Sequence, residues 1–190
     1  MRNVLLYMSM SLDGCVASER EHPGVAIAED AELRQWKLEH VRTAGAHLMG
    51  RRTYLEMSAF WPQSTDAYAA PMNGIPKVVF SKTLADADAT WPITRVARGD
   101  VEAEIAAIKQ ESGPDVIAWG GAMFAGALAA RDLIDEYRLL VQPLALGQGQ
   151  SLFGQLAASR HLDLVEARPF SSGVVLQVYR PQRTLAGSEA

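Results

Sequence analysis

Apolar residues dominate the stretch NVLLYMSM (3 to 10) without a helical period, and the turn dipeptide Asp13-Gly14 lies just beyond, which predicts a short buried first strand. A loop through Pro23 and Gly24 comes next. From Ala31 the pattern changes. Leu33, Trp36, His40, Val41 and Ala44 recur at helical spacing, Glu29 or Asp30 is available near the start, and Gly45 is a stop signal, so this segment reads as an amphipathic helix. Ala46 to Met49 is then a short strand, and Gly50 leads into a helix from about Arg52 to just before Trp61-Pro62. A loop containing Pro, Ser and Asn carries the chain to Pro76, after which Lys77 to Phe80 is a strand.

A weaker strand, Thr94 to Ala97, precedes a helix with Val101, Ile105 and Ile108 on one face. Asp115 to Trp119 is the most strand-like run in the chain, and Gly120-Gly121 then opens a helix carrying Met123, Phe124, Ala127 and Leu128. The last third has a different pattern. It holds a strand from Tyr137 to Val141, a loop through Pro143, Gly147 and Gly149, and two alternating strands around Leu162 to Ala167 and Val174 to Tyr179, with Ser172-Gly173 at their turn. Alternating strands and helices imply an α/β domain with a mainly parallel sheet. The terminal hairpin adds antiparallel strands, so the sheet is mixed. One domain over residues 1–181 is expected, with 182–190 as a frayed tail.

Composition narrows the function classes. The chain has 190 residues, 48% hydrophobic and 21% charged, as expected of a soluble globular protein. A formal net charge of -4 argues against a surface built for nucleic acid. Ser9, Ser11 and Asp13 interrupt the first apolar run before a signal sequence could develop, and no stretch reaches the ~18 apolar residues of a membrane span. Cys15 is the only cysteine, so no intrachain disulfide can form, and a reducing, cytoplasmic location is expected.

Three segments sit at the ends of predicted strands, the usual place for ligands in an open α/β sheet. In MGRRT (49 to 53), Arg51, Arg52 and Thr53 would bring two guanidinium groups, a hydroxyl and helix N–H donors together, an arrangement that calls for an anion. The alternative is that both arginines are solvated and pair with Glu56 or another carboxylate. Ser81 and Lys82 offer a hydroxyl and an ammonium for a terminal phosphate, or are ordinary loop residues. Gly120-Gly121 would let a phosphate or ring approach the main chain, or is a tight turn; neither the dinucleotide fingerprint nor the phosphate-loop motif occurs there. Asp13 could point into the same cleft or accept local backbone N–H groups. The four histidines lack metal-ligand spacing, and none has a motif that would activate Cys15.

Taken in order, YMSMSLDGCVA, HLMGRRTYLEM, KVVFSKTL, DVIAWGGAMFAGAL and LIDEYRLLVQPLALGQGQSLF resemble the dihydrofolate reductase-like superfamily. The match is nearest to the branch containing the C-terminal reductase domain of bacterial riboflavin biosynthesis proteins. The resemblance implies a three-layer α/β/α fold and NADPH lying across the strand ends. Gly50, Arg51, Arg52 and Thr53 match the segment gripping the cofactor phosphates, and Ser81 and Lys82 match the adenosine 2'-phosphate site. Gly120, Gly121, Ala122, Met123 and Phe124 match the turn and helix against the pyrophosphate and nicotinamide, with a Gly-Gly peptide that is often cis. The folate-reducing branch carries an acid one turn ahead of a helical tryptophan; here that position falls at Leu33, with Glu32 beside it in the wrong register. Asp13 of SLDG becomes the candidate for touching substrate. The His-x-Glu and Pro-Cys-x-x-Cys of the zinc deaminase often fused to this reductase are absent.

The resemblance therefore implies an NADPH-dependent reductase of a small heterocyclic substrate, similar to 5-amino-6-(5-phosphoribosylamino)uracil reductase, acting as a homodimer. The competing readings are a non-catalytic NADP-binding or stress-related module, a flavin-binding reductase, and a weak dihydrofolate reductase.

Overall fold

In the computed structural model, residues 1–17 and 28–182 are described. The loop expected through Pro23 and Gly24 and the tail beyond Gln182 lie outside them. The elements are β1 (Val4–Met10), β2 (Cys15–Ala17), α1 (Ala31–Arg42), β3 (Ala46–Gly50), α2 (Arg51–Phe60), α3 (Ala69–Gly74), β4 (Lys77–Phe80), β5 (Thr94–Ala97), α4 (Val101–Gln110), β6 (Val116–Trp119), α5 (Ala122–Ala130), β7 (Glu136–Val141), β8 (Gln150–Ser151), β9 (Leu162–Pro169) and β10 (Val175–Pro181).

One eight-stranded sheet has the order β5-β4-β3-β6-β1-β7-β10-β9. Strands β1, β3, β4, β5, β6 and β7 run parallel, and β10 is antiparallel to both β7 and β9. The fold is thus α/β with a mixed, mainly parallel sheet. The apolar runs of β1 and β6 reflect burial on both faces. Val4, Leu6 and Met8 pack with Ile105 and Ile108 of α4 and Leu128 of α5. Tyr7 faces the other way, with Leu33 and Trp36 of α1. On that second face, Met49 and Val79 join Val41 of α1, Tyr54 of α2 and Met72 of α3, which completes three layers.

Local chemistry sets the helix starts. Asp30 caps α1 by accepting from the Leu33 amide at 2.8 Å, and Asp100 caps α4 by accepting from Glu102 and Ala103 at 3.0 and 3.1 Å. The hairpin turn is at Phe170 to Val174, where Gly173 takes a φ of +84° that its lack of a Cβ permits. The segment read as a plain loop before Pro76 contains α3, whose Pro71 and Gly74 disguise a helix of six residues. A further departure is a two-stranded sheet of β2 and β8, too short to carry a periodic signal. Among the described residues, no helix is long and apolar enough to cross a membrane.

Lys77 places a charge inside this core. It opens β4 at 1% exposure. Its Nζ donates to the carbonyls of Asn73 (2.6 Å) and Pro92 (3.0 Å) and lies 4.5 Å from the centre of the Trp91 ring. Burial lowers its pKa from 10.5 to about 8. Between those values the unfolded chain holds the extra proton, so stability rises as pH climbs through this window. Urea unfolding at pH 8 and pH 10 is expected to show a larger gain for the wild type than for Lys77→Met, which keeps the stem and removes the ammonium. Equal gains would place the lysine outside this linkage.

Candidate functional site

Because β1, β3, β4 and β6 are parallel, they deliver Met10, Gly50, Phe80 and Trp119 to one edge of the sheet. The chain passes from β3 outward to β5, returns to place β6 between β3 and β1, and continues to β7 on the far side of β1. In an open α/β sheet such a reversal is where a ligand crevice forms, at the carboxyl ends of the strands. A cavity of about 360 Å³ lined by Arg2, Ala46, Lys77, Thr94 and Arg95 lies at the opposite edge, where β3, β4 and β5 begin, away from the predicted motifs.

The structure brings MGRRT and WGGAMF into contact. The Thr53 hydroxyl donates to the Gly120 carbonyl at 3.3 Å. A Cβ on Gly121 would lie 2.8 Å from Thr53 Oγ1, one on Gly120 would lie 2.0 Å from Met8 Cε, and one on Gly50 would lie 3.2 Å from Phe124 Cβ. The approach is tightest at Gly121, whereas the flexible end of Met8 could yield to a side chain at Gly120. Among the described residues no peptide bond is cis, so the Gly120-Gly121 peptide is trans, unlike the family expectation. The Phe80 and Phe124 rings, 5.1 Å apart, tie the end of β4 to the same cluster. Ala122 is half-buried against the core, whereas Met123 is 73% exposed at the rim.

Electrostatics at this edge favour an anion. Helices α2 and α5 begin at Gly50 and Gly121 with no side-chain cap and no acid in the first turn, unlike α1 and α4. Their first N–H groups and dipoles therefore face the crevice uncompensated. Arg52 pairs with Glu56 at 3.2 Å, the solvated arrangement open to it from the sequence. Arg51 and Lys82 are exposed and have no carboxylate partner among the described residues. Ser81 Oγ accepts from the amides of Thr83 (3.2 Å) and Leu84 (3.0 Å), which fixes the turn and leaves its proton for another acceptor. Uncapped helix starts, free cations and side-chain-free approach fit the phosphates of a dinucleotide.

Asp13 occupies a different setting from the one its local sequence suggests. Its Oδ1 accepts from Ser11 Oγ (2.6 Å) and the Leu146 amide (3.0 Å), and its Oδ2 accepts from the Gly147 amide (2.7 Å). The carboxylate thus fastens the loop after β7 to the end of β1, a link of 133 residues invisible to local reading. These hydrogen bonds, led by the one from Ser11, lower its pKa to about 2. It is ionised at neutral pH and has no proton to give.

Three aromatic residues at the same edge form a group that the sequence does not reveal. Tyr7 stacks on Trp36 at 5.8 Å and meets Trp119 at 5.5 Å. The Trp119 indole donates to His47 Nδ1 at 2.9 Å, and burial holds His47 neutral by lowering its pKa to about 4. Tyr7 shares its face of β1 with Leu5 and Ser9, so alternation along the strand does not single it out. Glu32 is exposed and ion-paired with Arg168, while Leu33 is fully buried, so no acid reaches the crevice from this part of α1. Among the described residues, no cluster of His, Cys, Asp and Glu could hold a metal ion.

An acid whose pKa is depressed contributes stability above its ordinary value, and that contribution is lost as pH falls through the folded-state pKa. An NMR titration should therefore show the Gly147 and Leu146 amide signals moving together with a midpoint near pH 2. A midpoint near 3.8, the ordinary aspartate value, would mean the tether is not formed.

Proteins similar to this chain in sequence or in structure match nearly all of it. The uncharacterized protein YyaP of Bacillus subtilis (strain 168) is 26% identical over 183 residues, covering 94% of each sequence. A candidate riboflavin biosynthesis protein from Shewanella sp. PV-4 superposes with a TM-score of 0.73 at 22% identity, covering 96% of this chain and 100% of that one. The Thermotoga maritima diaminohydroxyphosphoribosylaminopyrimidine deaminase/5-amino-6-(5-phosphoribosylamino)uracil reductase gives 0.67 at 18% identity, covering 95% of this chain and 56% of that larger one. The family model for the RibD C-terminal domain matches residues 2–176, and the chain belongs to that family.

Proposed function

We propose that the protein is an NADPH-dependent reductase of a small heterocyclic substrate, of the type that reduces 5-amino-6-(5-phosphoribosylamino)uracil. The observation carrying this reading is the Thr53–Gly120 contact, which joins the cation-bearing start of α2 to the uncapped start of α5. Family membership supports the reductase class. The N–H groups of α2, with Arg51, Arg52 and Thr53, would hold the central phosphates. Ser81 and Lys82 would hold the 2'-phosphate, and Gly120 to Phe124 would pack against the pyrophosphate and nicotinamide. Bound NADPH would supply hydride.

The chain's own residues orient and enclose. Asp13, already ionised and hydrogen-bonded, acts as a positioning anion for the 144–147 loop, and the proton for the reduced substrate comes from water. The lone, buried Cys15 suits a reducing cytoplasm. A second copy of the chain is proposed to pack near the C-terminal strands, where Leu164 and Val165 of the edge strand β9 are 57% and 48% exposed. Light scattering at twice the chain mass is the expected result.

Titration calorimetry should find NADPH bound more tightly than NADH. A charged phosphate contact is worth ~1.5–3 kcal/mol, so Lys82→Ala should weaken NADPH binding about tenfold or more and leave NADH nearly unchanged. Binding of neither nucleotide would overturn the reading. Tight NADPH binding without oxidation across pyrimidines, pterins, quinones and aldehydes would leave a nucleotide-binding module in its place.

A further inference from the structure

The hydroxyl of Tyr7 is sealed from solvent and has no hydrogen-bond partner. Other tyrosines show how this chain treats such a group. Tyr54 Oη accepts from the Trp91 amide at 3.0 Å and Tyr68 donates to the Arg34 carbonyl at 3.0 Å. Tyr137, whose hydroxyl also lacks a well-formed hydrogen bond, has the Arg160 guanidinium acting on its oxygen. A phenylalanine would fill the space of Tyr7 without leaving a buried polar atom unsatisfied, and an unsatisfied hydroxyl costs stability. The unpartnered hydroxyl is therefore open to a partner outside the chain.

Its position identifies that partner's chemistry. Tyr7 lies opposite Trp119, the last residue of β6, which directly precedes Gly120. The phenol is stacked at 20° to the Trp36 ring and tilted at 57° to the Trp119 ring, so two flat apolar surfaces pack on the ring that carries the one unpartnered polar atom. The Trp119 indole N–H is already committed to His47 and cannot serve a ligand. Tyr7 therefore supplies the polar contact. Burial, the largest influence on it, keeps the phenol protonated well above the usual range, so it is a neutral hydrogen-bond donor rather than an acid or base. A neutral donor beside an aromatic cluster suits the ring carbonyl of a planar heterocycle.

We propose that the Tyr7 hydroxyl is a substrate-positioning group that donates to a ring carbonyl of a flat heterocycle packed beside Tyr7, against the same aromatic cluster as Trp36 and Trp119. This deepens the reductase reading and rests on it for the identity of the pocket. The hydroxyl is sealed in the ligand-free chain, so binding requires the groups covering it to open locally.

Tyr7→Phe removes one atom and keeps the ring. If the hydroxyl exists for a ligand, the cofactor-free variant melts at the wild-type temperature or a few degrees higher; a fall of several degrees would assign it a structural role and overturn the proposal. Calorimetry with lumazine, a pteridine with ring carbonyls, is expected to show binding to the wild type, with about tenfold weaker binding to the variant. Equal affinity, or no binding to the wild type with or without NADPH, would also overturn it. NADPH affinity should be unchanged by the substitution. Failure of NADPH to bind either protein would count against the cofactor assignment, while the melting and lumazine comparisons would still report on Tyr7.

Discussion

The contact between the ends of β3 and β6 is the constraint on which the site depends. Parallel pairing places Leu48 opposite Ala118, so the two strands run out together and their following helices start side by side. A Cβ at Gly121 would crowd the Thr53 hydroxyl at 2.8 Å, and one at Gly120 would displace the flexible end of Met8. The missing side chains let the Thr53 hydroxyl reach the Gly120 carbonyl. Two helix N-termini then converge on one crevice instead of opening separately to solvent. The same closeness explains why neither helix has an acidic cap: a carboxylate there would occupy the space and neutralise the field that an anionic ligand needs.

The supporting shell is built from longer-range links. The Asp13 carboxylate holds the loop after β7 against the end of β1, and Gly147 adopts a φ of +72° to present its amide to it. On the other face, the Trp119 to His47 hydrogen bond fixes the residue that precedes the glycine pair. The neutral state of His47 matters here, because only an unprotonated Nδ1 can accept from the indole. These links come from strands and loops distant in sequence, and each ends next to the crevice.

Much of the architecture was legible because its signals are local. The uninterrupted apolar strands, the aspartate before α1, and the glycines after β3 and β6 arise from burial, capping and turn chemistry within a few residues. The approximate placement of Arg51, Thr53, Ser81 and Gly120 at one edge came from assuming parallel strands. The features that stayed hidden depend on partners far away in the chain. Asp13 looked like a turn residue because its acceptor role involves residues 146 and 147. Tyr7, Trp36 and Trp119 looked like independent core residues because three different elements bring them together. Helix α3 was hidden by its own brevity and by Pro71.

The central claim is that a dinucleotide's phosphates sit at the carboxyl ends of β3, β4 and β6. Chemical-shift mapping with NADP+ on isotope-labelled protein tests it most directly. The account predicts the largest amide shifts at Arg52, Thr53, Lys82, Gly121 and Ala122, with little change at Arg2, Thr94 and Glu111 around the cavity on the opposite edge. Shifts concentrated at that opposite edge, or no shifts at saturating nucleotide, would contradict it.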